Sequence, residues 1–507
     1  MATTLLEDVS MFCIIKNIDK RDKKIFFCLL ALSLFYVFPL IMDSRLYIDD
    51  LSRSLYGNAG WSSDGRPLAT AVMKILNGGT PLLNLSPITL ILSIITLCFS
   101  LMLYAKYNLK DIKIIGVVFC LFGIICNPFF IENLSYKYDC LPMSLSIASV
   151  LLVFCNDSYQ KWTVKNFGAP IIFIIFSLCL YQATIGMFFI FLIIEIILSG
   201  FSRHYRIKNI FYTLAWRSAQ VFIAYFLYKY FIVKHYVSGN YASNHAEMVN
   251  ISMASINIIV YNVKNILGHL YLLYKSYPVW VLCVVIVGCV FSIVNFILLT
   301  WKKNKSVILC FFIILAYLAM FLFSFIHLAL LKNPVLAPRV FISVGSLFAF
   351  YVIGISYFPI KEKYKTIFIV PLLGTSFLFS YAYSNASSAQ EKIDNLIATS
   401  IYHDINSLKL ESNKVSIYGK MPVAKEVKLS AEKIPLINRL IPIYMDGSWW
   451  WGAVFLQHYR IPVWIEDMTS KDVDIICHSK PMSDTRDYKI FVNGDKVILL
   501  FEKYNCN

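Results

Sequence analysis

One polar stretch stands apart in an otherwise apolar chain. It reads Tyr47-Ile48-Asp49-Asp50-Leu51-Ser52-Arg53, then Gly60-Trp61, then Asp64-Gly65-Arg66-Pro67-Leu68-Ala69. Adjacent carboxylates and arginines beside a run long enough to sit in lipid are costly to keep there without a site to serve. A carboxylate can take a proton from a hydroxyl. An arginine can hold a departing phosphate through paired N–H donors. In a helix, Asp49, Arg53 and Tyr56 fall at i, i+4 and i+7 on one face, with Asp50, Ser54 and Gly57 on the next. Pro67 suits the first turn of a second helix, which Asn77-Gly78-Gly79 would stop. Two short interfacial helices around a charged turn would make a shelf at the membrane face. The plainer alternative is an exposed Asp49–Arg53 ion pair, worth little by itself.

Two further segments carry similar residue types. Glu132-Asn133-Leu134-Ser135-Tyr136-Lys137-Tyr138-Asp139 is a short connector, so its charges must lie close to the membrane. Lys332-Asn333-Pro334 is followed by Pro338-Arg339, an arginine at the mouth of a span where a lipid phosphate would sit. The candidate proton acceptors are Asp50 and Asp49. Arg66, Lys137 and Arg339 are the candidate phosphate holders. Arg53, Trp61, Asp64, Glu132, Tyr138, Asp139 and Lys332 are the remaining candidate substrate contacts. Asp49, Asp50, Glu132 and Asp139 have metal-ligand chemistry, but the cations make a metal unnecessary. No metal and no cofactor is expected.

The elements that must position these residues are mostly membrane helices. Of 507 residues, 58% are hydrophobic and 15% charged, against ~45–50% and ~25% in soluble domains. Apolar runs lie near 25–42, 86–104, 114–131, 140–155, 168–181, 184–200, 215–233, 278–299, 307–328, 340–358 and 366–384. A span needs about 20 such residues, so the fold class is an all-α polytopic bundle of about eleven transmembrane helices. The first run lacks a small-residue cleavage site after it and reads as a retained span. Tyr181-Gln182-Ala183-Thr184 breaks the apolar stretch 168–200 into a hairpin.

With the N-terminus in the cytoplasm, the basic clusters alternate onto one side. They are Lys16/Lys20/Arg21/Lys23/Lys24, Lys106/Lys110/Lys113, Lys161/Lys165, Arg203/Arg206/Lys208, Lys302/Lys303/Lys305 and Lys361/Lys363/Lys365, as the positive-inside bias requires. The net charge of +16 is therefore topological and does not point to nucleic acid. Segments 43–85, 132–139, 234–277, 329–339 and the tail face the other way. His327, in an apolar run, reads as a satisfied buried histidine, and Glu195 as inward-facing.

Residues 385–507 differ in kind and read as a small C-terminal α/β domain behind a membrane domain of residues 1–384. Residues 387–410 read as a helix. Val415–Tyr418, Val473–Ile476 and Lys496–Leu500 read as strands. Cys477 and Cys506 have the option of pairing in an oxidising compartment. Trp449-Trp450-Trp451 suits interfacial anchoring, with stacking on sugar rings as the alternative.

Asp49-Asp50, Arg53, Gly57, Gly60-Trp61 and Gly65-Arg66-Pro67-Leu68 resemble the first-loop signature of GtrII-type glucosyl transferases, the phage-borne, serotype-converting O-antigen enzymes. Asn133–Asp139 and Pro338-Arg339 are also similar to that family. The likeness covers most of the membrane part and is vaguer in the tail. It implies a GT-C-like architecture in the bacterial inner membrane, a periplasmic active site and tail, and an essential acid at Asp49 or Asp50. It also implies a donor, undecaprenyl-phosphate-glucose, supplied by a synthase and a flippase, and an acceptor hydroxyl on lipid-linked O-antigen. Outside the family reading, a flippase for polyprenyl-linked sugars would want ionisable residues and helix breaks near the bilayer midplane. Here the acids gather at one face. A membrane protein without catalysis is the third option.

Overall fold

Each of the eleven apolar runs contains a helix in the computed structural model, which describes residues 18–155, 164–200, 206–239, 243–245, 247–250, 252–407 and 413–506. Lys16, Lys161 and Arg203, and the side chain of Lys165, lie outside the described residues. The membrane part comprises α1 (Lys20–Met42), α2 (Asp49–Tyr56), α3 (Pro67–Asn77), α4 (Ile88–Asn108), α5 (Ile114–Ile125), α6 (Phe130–Ser135), α7 (Cys140–Val153), α8 (Val164–Leu180) and α9 (Ile185–Ser199). It continues with α10 (Ile207–Leu227), α11 (Met253–Lys275), α12 (Val279–Asn304), α13 (Val307–Ala329), α14 (Val344–Ser356) and α15 (Glu362–Ser407).

By length and composition, seven of the described helices can cross a membrane, and four shorter apolar helices of 10–17 residues sit among them. The shorter four are α5, α7, α8 and α14, each below the ~20 residues that span hydrocarbon at full length. α4 packs on α7, α7 on α8, and α5 on α14. Nearly all of α7 is buried, so these helices form the inside of the bundle. Glu195 does face inward and pairs with Arg217 at 2.8 Å. His327 departs from expectation. It is buried, and neither ring nitrogen has a hydrogen-bond partner among the described residues.

The expected span at 366–384 and the expected helix from 387 are one continuous element, the 46-residue α15. The 384/385 boundary therefore falls mid-helix. Beyond it lies a five-stranded sheet in the order β2-β1-β5-β4-β3. Its strands are β1 (Lys414–Tyr418), β2 (Trp464–Ile465), β3 (Ser483–Asp484), β4 (Lys489–Asn493) and β5 (Lys496–Leu500). β1 runs parallel to β2 and β5, while β3, β4 and β5 are antiparallel.

Val473–Ile476 is not a strand; it lies within α16 (Ser470–His478). Thr469 and Asp472 form a reciprocal capping box there, which nucleates a helix and overrides the β-branched composition. Cys477 and Cys506 are disulfide-bonded. The sheet shares its core with the first outer loop: Leu51 belongs to one buried cluster with Ile417, Tyr444 and Leu456, and Leu46, Ile48 and Leu55 pack against that cluster. Trp451 packs on this core, while Trp449 and Trp450 stay partly exposed.

Candidate active site

α2 begins where the chain is forced into it. Ile48, just before Asp49, has φ +45°. For a β-branched residue this is a strained conformation, costing on the order of 1–3 kcal/mol. Tyr444 of the tail holds it: its hydroxyl accepts from Ile48 N at 3.3 Å and donates to the Leu46 carbonyl at 2.5 Å. At the other end Gly57 has φ +61°, and a Cβ there would meet Pro81 Cβ at 2.4 Å, so only glycine closes this turn. Both acids stand in the first helical turn, where the helix dipole favours negative charge.

The two aspartates part company at this point. Asp50 is fully buried. Its Oδ2 accepts from Lys137 N at 2.8 Å and Tyr47 N at 3.2 Å, and its Oδ1 from Tyr138 N at 3.2 Å. Burial raises its pKa to about 7, although the backbone N–H of Lys137 opposes the rise. Asp50 therefore ties α2 to the 136–139 connector. Asp50→Asn would turn an amide N–H₂ against a backbone N–H. A loss of roughly 1–3 kcal/mol is expected, read as a lower melting temperature of the detergent-solubilised chain.

Asp49 is only partly buried. Its pKa is raised, first by burial and also by Asp139, while Arg53, Arg339 and Arg66 pull it down. Three guanidinium groups and one competing carboxylate thus act on it together.

Asp139 organises two of those arginines. It is 1% exposed. Its Oδ2 lies 3.2 Å from Arg53 Nε, and its Oδ1 lies 3.2 Å from Arg66 Nη1 and 2.5 Å from Trp61 Nε1. Burial alone would raise its pKa, but Arg53, Arg66 and the indole N–H outweigh burial and hold it low. Arg53 stacks over the Trp61 ring at 4.0 Å. Arg66 Nε donates to the Leu180 carbonyl at 2.6 Å, and its guanidinium lies 5.1 Å from the Tyr181 ring centre. Its Nη2 is buried without a hydrogen-bond partner among the described residues, as are the Tyr136 and Tyr138 hydroxyls. Buried polar atoms left unpaired are rare and call for an explanation.

Arg339 arrives from a separate part of the chain. Its Nη1 and backbone N donate to Glu132 at 2.8 and 2.7 Å, and Tyr181 donates to its carbonyl at 3.1 Å. Asp64 is exposed, and its carbonyl accepts from Gln182 Nε2 at 2.9 Å. Burial and the other acids raise its pKa against the pull of Arg66.

The remaining sequence candidates are placed as follows. Trp61, Glu132 and Asp139 are buried; Glu132 accepts from Arg339, Asp139 pairs with Arg53 and Arg66, and the Trp61 indole N–H donates to Asp139. Lys137 Nζ donates to the Asp43 carbonyl at 2.5 Å. Lys332 pairs with Glu247 at 3.2 Å on the exposed surface and does not join the cluster. Among the described residues no three His, Cys, Asp or Glu side chains converge to hold a metal ion.

Sequence reasoning passed over Arg45, Asp394 and Tyr444. Arg45 is paired with Asp394 at 2.8 Å, donates to the Pro442 carbonyl and lies 4.8 Å from the Tyr444 ring centre. Together they lock the first outer loop to α15 and the tail. The available signal was a third arginine in a loop already dense with charge.

The family profile described as glucosyl transferase GtrII matches residues 38–350. The chain belongs to the GtrII family. The matched segment contains every candidate from Asp49 to Arg339, so the arginine cluster lies inside the family's extent. GtrII membership makes the chain a glycosyltransferase. A protein of Salmonella phage P22, described as an uncharacterized 55.3 kDa protein in the gtrB 5' region, is 32% identical over 451 residues. That similarity covers 87% of this chain and 90% of the phage protein, so it extends into the tail. No solved structure matches the chain.

Proposed function

We propose that the chain transfers a glucosyl group from undecaprenyl-phosphate-glucose to a sugar hydroxyl of lipid-linked O-antigen, at the periplasmic face of the bacterial inner membrane. The observation that carries this reading is Asp49, a half-buried residue in the first turn of α2, in the field of Arg53, Arg66 and Arg339. Asp49 takes the proton of the acceptor hydroxyl. The freed oxygen attacks the anomeric carbon, and the bond from that carbon to the phosphate oxygen breaks. The electron pair leaves with the lipid phosphate. A single displacement inverts the anomeric centre and requires one base.

Arg66, whose Nη2 has no hydrogen-bond partner among the described residues, and Arg339 are the donors for the phosphate. Charge-assisted N–H donors fixed in a water-poor site stabilise developing negative charge well. Asp50, Asp139 and Glu132 act one step back, by holding the helix and the arginines. A lipid-borne donor would reach a cluster set, as this one is, on the connectors and helix ends between the long apolar helices. Supply of that donor assigns two functional partners to the chain, a synthase and a flippase. The Cys477–Cys506 bond supports an oxidising compartment for the tail.

The test is O-antigen structure in cells that carry the donor synthase and flippase, with and without this chain. One new glucosyl substituent per modified repeat is expected, and unchanged O-antigen overturns the reading. Topology supplies a separate check. Reporters fused within residues 43–66 and after residue 490 are expected to read periplasmic. Cytosolic readings would part Asp49 from its substrates.

A further inference from the structure

A cleft of about 330 Å³ lies where α2 meets the tail, lined by Leu55, Tyr56, Gln457, Arg460, Pro462 and Trp464. Tyr56 and Trp464 remain 49% and 54% exposed there. Both present flat aromatic surface that the tail's core, close by, does not take up. The Tyr56 hydroxyl donates to Gln457 Oε1, and Gln457 Nε2 donates to the Val463 carbonyl at 2.9 Å, so the two walls are tied together. Arg460, at φ +60°, adds a charged hydrogen-bond donor group. Tyr56 falls on the same helical face as Asp49, two turns on, roughly 11 Å along the axis by helical rise.

We infer that this cleft binds the acceptor carbohydrate, seating sugar units of the chain beyond the hydroxyl that is modified. The inference rests on the transferase reading above. The C–H-rich face of a pyranose ring carries slight positive charge and suits the electron-rich face of Tyr56 or Trp464, while Arg460 supplies donors for hydroxyl oxygens. A mostly apolar, concave site with a few placed polar groups fits such a ligand. One helix then carries the base at its start and the sugar-binding wall at its end, which sets the register of the acceptor against Asp49.

The test is steady-state transfer by the purified full chain, with undecaprenyl-phosphate-glucose as donor and lipid-free O-antigen oligosaccharide as the acceptor probe. Trp464→Ala and Tyr56→Ala are each expected to raise acceptor KM about tenfold. Donor KM, and kcat at saturating acceptor, stay unchanged, and Trp464→Phe restores most of the loss. Trp464 is half exposed at a sheet edge, so its truncation is not expected to unfold the tail. Arg460→Gln provides an independent variant with the same expected direction. Unchanged acceptor KM across these variants overturns the subsite, as does a rise confined to donor KM, which would make the cleft a lipid contact. A wild-type chain that transfers no sugar at all overturns the transferase reading and the subsite with it, so the two failures are told apart.

Discussion

Replacing Asp49 with asparagine is expected to cut sugar transfer by about 10²–10⁴-fold, the usual range for loss of a general base, with the chain still folded in the membrane. Asparagine keeps the size of the side chain and its place in the first turn of α2, but it cannot accept the proton. Among the described residues Asp49 has no backbone donors of the kind that fix Asp50, so its charge is expected to matter less to stability. Asp50→Asn is expected to show the reverse pattern, with lower melting temperature and activity that falls in step with the folded fraction. The contrast between neighbouring residues is the decisive comparison. Equal transfer by wild type and Asp49→Asn would remove Asp49 from the mechanism.

The pH profile carries a second signature. A base must be ionised, and Asp49 is shifted upward, mainly by burial. Activity should therefore rise with pH through an apparent pKa above the ordinary carboxylate range. Its loss on acidification should begin at higher pH than an exposed aspartate would give. In Asp49→Asn this limb of the profile should vanish.

Asp139→Ala is expected to have the largest effect on stability. The side chain holds Arg53, Arg66 and the Trp61 indole at once, at 1% exposure. Removing it strands two buried guanidinium groups, and breaking a buried pair typically costs about 3–5 kcal/mol. Sharply reduced recovery of folded chain and a large drop in melting temperature are the expected readouts. Arg53→Met combined with Asp139→Ala should recover part of the loss, because one of the stranded charges is gone. If Asp139→Ala melted like wild type, Asp139 would not be the organising centre of the cluster.

How much of this was legible beforehand depends on the range of the interactions. The short helices around Asp49 and Pro67 followed from local rules, because proline and glycine punctuate them. The membrane runs were plain because each is a contiguous apolar stretch. The two aspartates could not be separated in sequence: residues 49 and 50 are chemically alike, and their fates are decided by backbone N–H groups of residues 47, 137 and 138. Lys137 reads as a phosphate holder in sequence, where nothing shows that its ammonium group donates to the Asp43 carbonyl, 94 positions away. Val473–Ile476 misled because its composition favours a strand while its cap, just outside the window, favours a helix. Tyr444 and Asp394 were invisible as partners of the first loop, since no local pattern announces a contact made across more than 300 residues.

The unbroken helix α15 has a consequence for anyone building hybrids between relatives. It leaves the bundle and enters the tail without a hinge, so its phase is transmitted along its length. Adding or deleting one residue near position 385 would rotate everything downstream by about 100°. Tyr444 would swing away from Ile48, and the start of α2 would lose its clamp. Tail swaps should therefore tolerate extensive sequence change but not a change in spacing, with insertions of a near-whole number of turns surviving best.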